Sequence, residues 1–211
     1  MAGITHPFAF ENAIREQHPQ ARRLAGIDEA GRGPLAGPVV VAAVVLPLPP
    51  QVFSLPVNDS KKLTPKAREE LADALKHDPR IEFAIATRSA AAIDRLNILR
   101  ATQEAMREAA MKLSAPPDFV LIDGLAFQPF PFPAQFIVHG DGRSASIAAA
   151  SILAKTTRDA WMLELDRQYP GYGFAENKGY GTAQHLEALR RLGPCPEHRH
   201  SFGPVAQPTL F

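Results

Sequence analysis

The stretch Leu24–Pro38, LAGIDEAGRGPLAGP, decides how the rest of the chain is read. A short apolar run ends in two adjacent carboxylates, Asp28 and Glu29, which is the pattern of a buried strand reaching the surface. Gly31 and Gly33 follow at once, and glycine lets a backbone turn tightly and come close to a ligand. Arg32 stands between them with a fork of donors suited to a phosphate. Acids beside a phosphate-seeking backbone repel a polyanion unless a divalent cation lies between them. The stretch therefore points to a metal site that handles a phosphodiester. Two plainer readings compete. A dinucleotide-binding turn needs a helix next, whereas Val39–Leu46 (VVVAAVVL) is β-branched, bounded by Pro38 and Pro47, and reads as a returning strand. A solvated acidic turn stays open on this stretch alone.

Composition narrows the class. The 211 residues are 45% hydrophobic and 21% charged, which predicts one globular domain with at most a small appendage. A net charge of +1 supplies no global field, so nucleic-acid binding has to come from local basic clusters. Cys195 is the single cysteine, which excludes an intrachain disulfide and points to a reducing compartment. No apolar run has membrane-spanning length, and the N-terminal residues lack the cationic-then-apolar pattern of a secretory signal. Cytoplasmic localisation is the expectation, with a monomer as the default.

Taken in order, residues 1–22 read as a weakly ordered lead-in. Strands are expected over 24–29 and 38–46, followed by a proline-rich connector. Ser60, Lys61 and Lys62 sit in the next loop, either solvated or gripping a phosphate. Thr64-Pro65 starts a helix that runs to about His77. Residues 81–88 alternate as a half-buried strand does. Ser89 caps a short helix, and Asn97 begins a longer one with Ala101, Ala105, Met106, Ala109 and Leu113 as core. Two more apolar strands are expected, 118–123 and 135–139, each ending near an acid beside glycine: Asp123-Gly124 and Gly140-Asp141-Gly142. Ser144 or Ser146 caps a helix over about 146–168, on which Lys155 and Asp159 pair four residues apart. Thr182 caps a last helix. Cys195, His198 and His200 are packed too tightly for the paired spacing of a structural zinc site.

Asp28, Glu29, Asp123 and Asp141 form the hard oxygen-donor set that Mg2+ or Mn2+ prefers. Acids at strand ends mark sites in open α/β sheets. Several of them can hold two cations about 3.5–4 Å apart, the two-metal arrangement for phosphodiester hydrolysis. One difficulty stands out. Neighbouring strand residues point to opposite faces, so either the strand ends at Asp28 or Glu29 contributes partly through its carbonyl.

Seven blocks in this order resemble bacterial type 2 ribonuclease H: GIDEAGRGPLAGPVV, NDSKKLT, LNILRATQEAM, LIDG, SIAAASILAKTTRD, NKGYGT and HRHSF. The resemblance covers about Leu24 to Pro204. It implies an α/β fold, a ribonuclease-H-like mixed five-stranded sheet flanked by helices with a small helical C-terminal part. It divides the chain into a lead-in (1–22), a catalytic core (23–170), a C-terminal substrate-binding part (171–204) and a tail (205–211). It implies hydrolysis of RNA in RNA/DNA hybrids and nicking on the 5′ side of a ribonucleotide embedded in DNA, leaving 5′-phosphate and 3′-hydroxyl ends. The family's metal-binding acids fall on Asp28, Glu29, Asp123 and Asp141. Its glycine-arginine-glycine motif falls on Gly31, Arg32 and Gly33, which would read the 2′-hydroxyl that distinguishes RNA from DNA. Tyr180 would stack on the neighbouring sugar. Lys61 and Lys62 would hold backbone phosphates, with Ser144 and Lys178 as further contacts. One position departs from the family: the residue two before Asp141 is often lysine there, and here it is His139.

The last five residues, Gln207-Pro-Thr-Leu210-Phe211, resemble the Q-x-x-L-F peptide by which bacterial proteins dock on the replicative sliding clamp, with Leu210 and Phe211 as apolar anchors. The plainer reading of them is a tail folded back on the domain. Two rival functions remain beside the nuclease reading. One is another metal nuclease or a recombinase on the same sheet. The other is a non-catalytic hybrid-binding module, against which the four acids argue, since a pure binder gains nothing from negative charge facing phosphates.

Overall fold

The computed structural model describes residues 8–47 and 63–206 of the chain. The strands are β1 (Leu24–Ala30), β2 (Val39–Val45), β3 (Glu82–Arg88), β4 (Phe119–Asp123) and β5 (Ala134–Ile137). The helices among the described residues are α1 (Ala9–Gln17), α2 (Pro65–His77), α3 (Ala90–Leu96), α4 (Ile98–Met111), α5 (Ala145–Gln168), α6 (Phe174–Asn177), α7 (Ala183–Leu192) and α8 (Gly203–Ala206). One mixed sheet has the order β3-β2-β1-β4-β5. β2 runs antiparallel to β1 and β3, whereas β4 runs parallel to β1 and to β5. This is the five-stranded, helix-flanked sheet that the resemblance implies.

β2 is apolar at every position because both of its faces are covered. Val41, Ala43 and Val45 pack toward Ala105, Met106 and Ala109 of α4. Ala42 and Val44 pack toward Ala148, Ala149 and Ile152 of α5. The same alternation governs β1, where Ala25 and Ile27 join the α4 side. Gly26 faces α5, and a Cβ there would stand 2.1 Å from the backbone carbon of Ser146. Its missing side chain is what lets the start of α5 lie directly on β1.

Local chemistry starts the helices as expected. Thr64, Ser89, Asn97, Ser144 and Thr182 each accept a bond from a backbone N–H three residues on, worth about 1 kcal/mol per cap. α6, α7 and α8 close the C-terminal part over the far half of α5. There Leu35 and Ala36 share a core with Met162, Phe174, Leu189 and Val205.

Three expectations need correction. The expected lead-in holds α1, with Phe8 and Ile14 in the hydrophobic clusters and Glu11 buried. Its apolar positions are few, and only docking on the sheet gives them a face to bury. β1 continues through Ala30, one residue beyond the expected 24–29, so it does not stop at Asp28 as one of the two alternatives had it; β2 pairs with it as far as Ala30↔Val40. The last strand stops at Ile137 instead of His139. His139 turns left-handed with φ +56°, and Gly140–Gly142 is a 3-10 turn.

Candidate active site

The parallel pairing of β1 with β4 runs as far as Ile27↔Ile122, so Asp28 and Asp123 stand side by side just beyond it, where the two strands part. Asp28 points to the α5 face and is 5% exposed. Its Oδ1 accepts the Glu29 N–H at 2.7 Å, and Ser151 of α5 hydrogen-bonds its carboxylate. Glu29 reaches the cleft from the opposite side and pairs with Arg32 at 3.3 Å. The two carboxylates do alternate, and the cleft opens at the sheet's end where both sides reach it. Asp28, Glu29 and Asp123 line that cleft of about 290 Å3 together with Gly31–Gly33, Arg68, Ser151, Lys155 and Tyr180. Glu29 and Asp123 also border a groove on the α4 side, walled by Leu99, Thr102, Met106 and Leu125.

Burial holds the Asp28 carboxyl well above the usual carboxylate range, and the neighbouring Glu29 and Asp123 charges add to the effect. Burial raises Glu29 as well, with Arg32 working against it. The Oε2 of Glu29 is buried with no hydrogen-bond partner among the described residues. An all-oxygen donor set, mutual repulsion and an unsatisfied buried oxygen are what a hard divalent cation relieves. The residues fit such an ion by their chemistry. Among the described residues, no three acids, histidines or cysteines are gathered tightly enough to hold one as they stand.

Asp141 is 4% exposed on the 3-10 turn and is not among the residues that line the cleft. Its turn is nonetheless tied to the site, since Gly140 N–H donates to Asp123 Oδ1 at 2.6 Å.

The Gly31–Pro38 loop is held by two buried arginines that the sequence did not single out. Arg158 of α5 donates to the carbonyls of Ala36, Pro38 and Lys178. Arg199 donates to those of Gly31, Arg32 and Gly37. Both guanidiniums rest on backbone carbonyls, and burial beside Arg158 pushes Arg199 down to about 9. Both lie in the quoted blocks SIAAASILAKTTRD and HRHSF, yet nothing in their spacing shows that they meet. Tyr180 is 47% exposed and stands over Gly33, whose added Cβ would lie 3.7 Å from its ring.

The remaining predicted contacts divide. Lys178 lies in a neighbouring groove between α2 and α5, and its Nζ donates to Ala175 O. Ser144 is a correction: it is 2% exposed, caps α5 and donates to Glu11, so no phosphate reaches it. Lys61 and Lys62, like Gln207, Leu210 and Phe211, lie outside the described residues. Lys155 pairs with Asp159 at 2.7 Å as expected, but it also lines the cleft. Arg68 joins it there from α2, 3.9 Å from Asp159. Only the docking of α2 on α5 reveals these two cations. Cys195 and His198 hydrogen-bond each other inside a buried aromatic cluster.

A mixed sheet with acids at adjacent parallel strand ends, beside a glycine-rich loop and basic side chains, defines a phosphodiester-handling enzyme of the ribonuclease-H-like fold. Residues 25–205 match the ribonuclease HII family. Ribonuclease HII of Chlamydia pneumoniae is 56% identical over 184 residues, covering 87% of this chain and 85% of that one. Ribonuclease H2 of Pyrococcus horikoshii OT3 superposes with a TM-score of 0.74 at 25% identity, covering 88% of this chain and 96% of that one. The ribonuclease HII of Archaeoglobus fulgidus, solved in complex with PCNA, gives 0.72 at 25% identity over 85% and 95%. The chain belongs to the ribonuclease HII family. It is a ribonuclease H, an endonuclease for the RNA strand of RNA/DNA hybrids.

Proposed function

We propose that the cleft at the ends of β1 and β4 is where this enzyme cuts, both in RNA/DNA hybrids and on the 5′ side of a ribonucleotide embedded in duplex DNA. The products are 3′-hydroxyl and 5′-phosphate ends. The observation that carries this reading is the gathering of Asp28, Glu29 and Asp123 in one cleft with Gly31–Gly33 and Tyr180 on its rim.

Activity depends on a divalent metal. Asp28, Glu29, Asp123 and Asp141 would hold Mg2+ or Mn2+ as a pair of ions. When bound, such ions compensate the charge of the phosphodiester and of the leaving oxygen. The chain's own groups do the rest. Arg32 exchanges its Glu29 contact for a phosphate oxygen, and the backbone between Gly31 and Gly33 approaches the 2′-hydroxyl. The Tyr180 ring stacks on the adjacent sugar. Arg68, Lys155 and Lys178 line up along the backbone phosphates, and Lys61 and Lys62, which precede α2 in the sequence, add phosphate contacts. The protein acts as a monomer in a reducing cytoplasm, where the buried Cys195 thiol stays reduced.

The test is a labelled DNA duplex with one ribonucleotide, incubated with Mg2+ or Mn2+ and with EDTA. Wild type should nick it 5′ of the ribonucleotide, EDTA should stop cleavage, and Asp141→Asn should lose at least about 100-fold in rate. Cleavage of an all-DNA duplex would redirect the assignment to another nuclease. Hybrid binding without cleavage would favour a pure binding module.

The tail Gln207–Phe211 docks on the sliding clamp in this reading. Its support is the peptide pattern and the archaeal relative solved with PCNA. Deleting Leu210 and Phe211 should abolish clamp capture in a pull-down and leave hydrolysis intact. Unchanged capture would dispose of the docking role.

A further inference from the structure

α1 lies ahead of the residues that match the family, yet it contacts residues 143–146, directly after the turn that carries Asp141. Glu11 is 2% exposed, and its Oε1 accepts three bonds: from Ser144 Oγ at 2.7 Å, Ser146 N at 3.0 Å and Ser146 Oγ at 2.7 Å. Its Oε2 is buried with no hydrogen-bond partner among the described residues. Just after the same turn, the Arg143 guanidinium lies 4.9 Å over the Phe10 ring and donates to Val138 O. Ser144 N–H in turn closes on Gly140 O at 2.9 Å. Phe10 and Glu11 of α1 thus both contact residues 143–146, and Asp141 lies in the chain between those contacts and the Gly140–Asp123 bond.

Burying a carboxylate is costly unless its bonds recover the lost hydration. A helix N-terminus recovers part of it through unpaired N–H groups and the favourable end of the dipole. A hydroxyl without a buried acid behind it caps α2 and α3, through Thr64 and Ser89. What a buried acid from a separate helix adds is a fixed distance between α1 and the start of α5. We propose that Glu11 is a positioning residue that sets where the Asp141 carboxylate stands relative to Asp123, and hence how tightly the cation site closes.

This inference rests on Asp141 being a metal ligand, so the experiment carries that residue in parallel. Mn2+ binding to the substrate-free protein is titrated calorimetrically for wild type, Glu11→Gln, Glu11→Ala, Asp141→Asn and the Glu11→Ala/Asp141→Asn pair. Cleavage kinetics are run at saturating Mn2+. Glu11→Ala should weaken Mn2+ about 10-fold, as loss of a ligand-orienting partner does. The KM for duplex should stay put, and Glu11→Gln should restore most of the affinity because its amide oxygen still accepts the serine bonds. In the Asp141→Asn background, Glu11→Ala should add nothing. A lower Tm with wild-type Mn2+ affinity in both Glu11 variants overturns the inference and leaves Asp141 standing. No loss of affinity in Asp141→Asn overturns the ligand reading and the inference together. If Glu11→Ala fails to fold, Ser146→Ala decides, since it removes the Ser146 hydroxyl from Glu11 and leaves the Ser146 N–H bond: weakened Mn2+ affinity supports the inference and unchanged affinity overturns it.

Discussion

Asp28 and Glu29 are consecutive residues with opposite orientations, and each is unhappy where it sits. Burial and like charges hold both above the usual carboxylate range. A carboxyl whose folded pKa is raised stabilises the fold below its unfolded value, and that contribution is lost as pH rises through the folded value. The metal-free enzyme is therefore strained at neutral pH by the groups that make it an enzyme. Asp28→Asn keeps an oxygen for the Glu29 N–H and removes the charge. In EDTA at pH 7 it should raise stability by about 1–2 kcal/mol, a Tm gain of about 2–8 °C for a domain of this size. Activity should fall below detection. The gain should shrink as pH falls toward the unfolded carboxylate value, about 4, below which a raised folded pKa no longer costs stability. A lower Tm for Asp28→Asn at pH 7 would show that burial is not what dominates this acid.

At the scale of elements, the site depends on how closely α5 lies on β1. Gly26 allows that approach, and two residues on, Asp28 meets Ser151 on the same face. Gly26→Ala places a methyl group against the backbone of Ser146, which cannot swing aside as a side chain can. Overpacking of this kind costs about 1–3 kcal/mol or more. The displacement also moves Ser151 and Lys155 relative to the acids. The expected result is a Tm drop of several degrees with a disproportionate loss of kcat. A variant as active and stable as wild type would mean that α5 has slack at its start. Glycine at 26 gave no such warning in the sequence, where it read as one residue of an apolar run.

Across the whole molecule, the C-terminal part pins the loop that follows β1. Ala36 bridges to His198, and Arg199 ties down the Gly31, Arg32 and Gly37 carbonyls. Behind them runs a chain of neutral groups. Cys195 N–H donates to His198 Nδ1, so the proton of His198 sits on Nε2 and points to His185 Nε2, 3.0 Å away. His185 Nδ1–H then donates to the Tyr180 carbonyl. Protonating either ring breaks this arrangement. Burial lowers both, His198 to about 4, with His185 and His200 contributing to the latter. A base whose folded pKa is lowered costs stability as pH falls from its unfolded value, about 6.5, toward the folded one. The fall in Tm between pH 7 and pH 5 should therefore be steeper in wild type than in His198→Gln, even if that variant starts lower. Equal slopes would show that the pair does not govern acid stability.

Periodicity and punctuation carried the sheet, the caps and the acid-glycine-arginine stretch, because those signals are local: a strand's period, a cap's hydroxyl, a proline at a helix start. The resemblance blocks carried the family. What the chain alone left undecided is who meets whom. α1 looked like a loose lead-in because nine residues of mixed polarity bury little until a sheet edge and the start of α5 are there to receive Ile14 and Glu11. Ser144 was expected both to cap α5 and, from the resemblance, to touch a phosphate; it does cap α5, and what the sequence could not show is that Glu11, 133 residues away, accepts the hydrogen bond of its hydroxyl. Arg158 and Arg199 were silent because a buried guanidinium satisfied by carbonyls leaves no trace in spacing. The sequence determined the residue types and local conformations that make a metal-dependent nuclease possible. Tertiary structure decided which charges share the cleft, since that depends on long-range packing that no local period encodes.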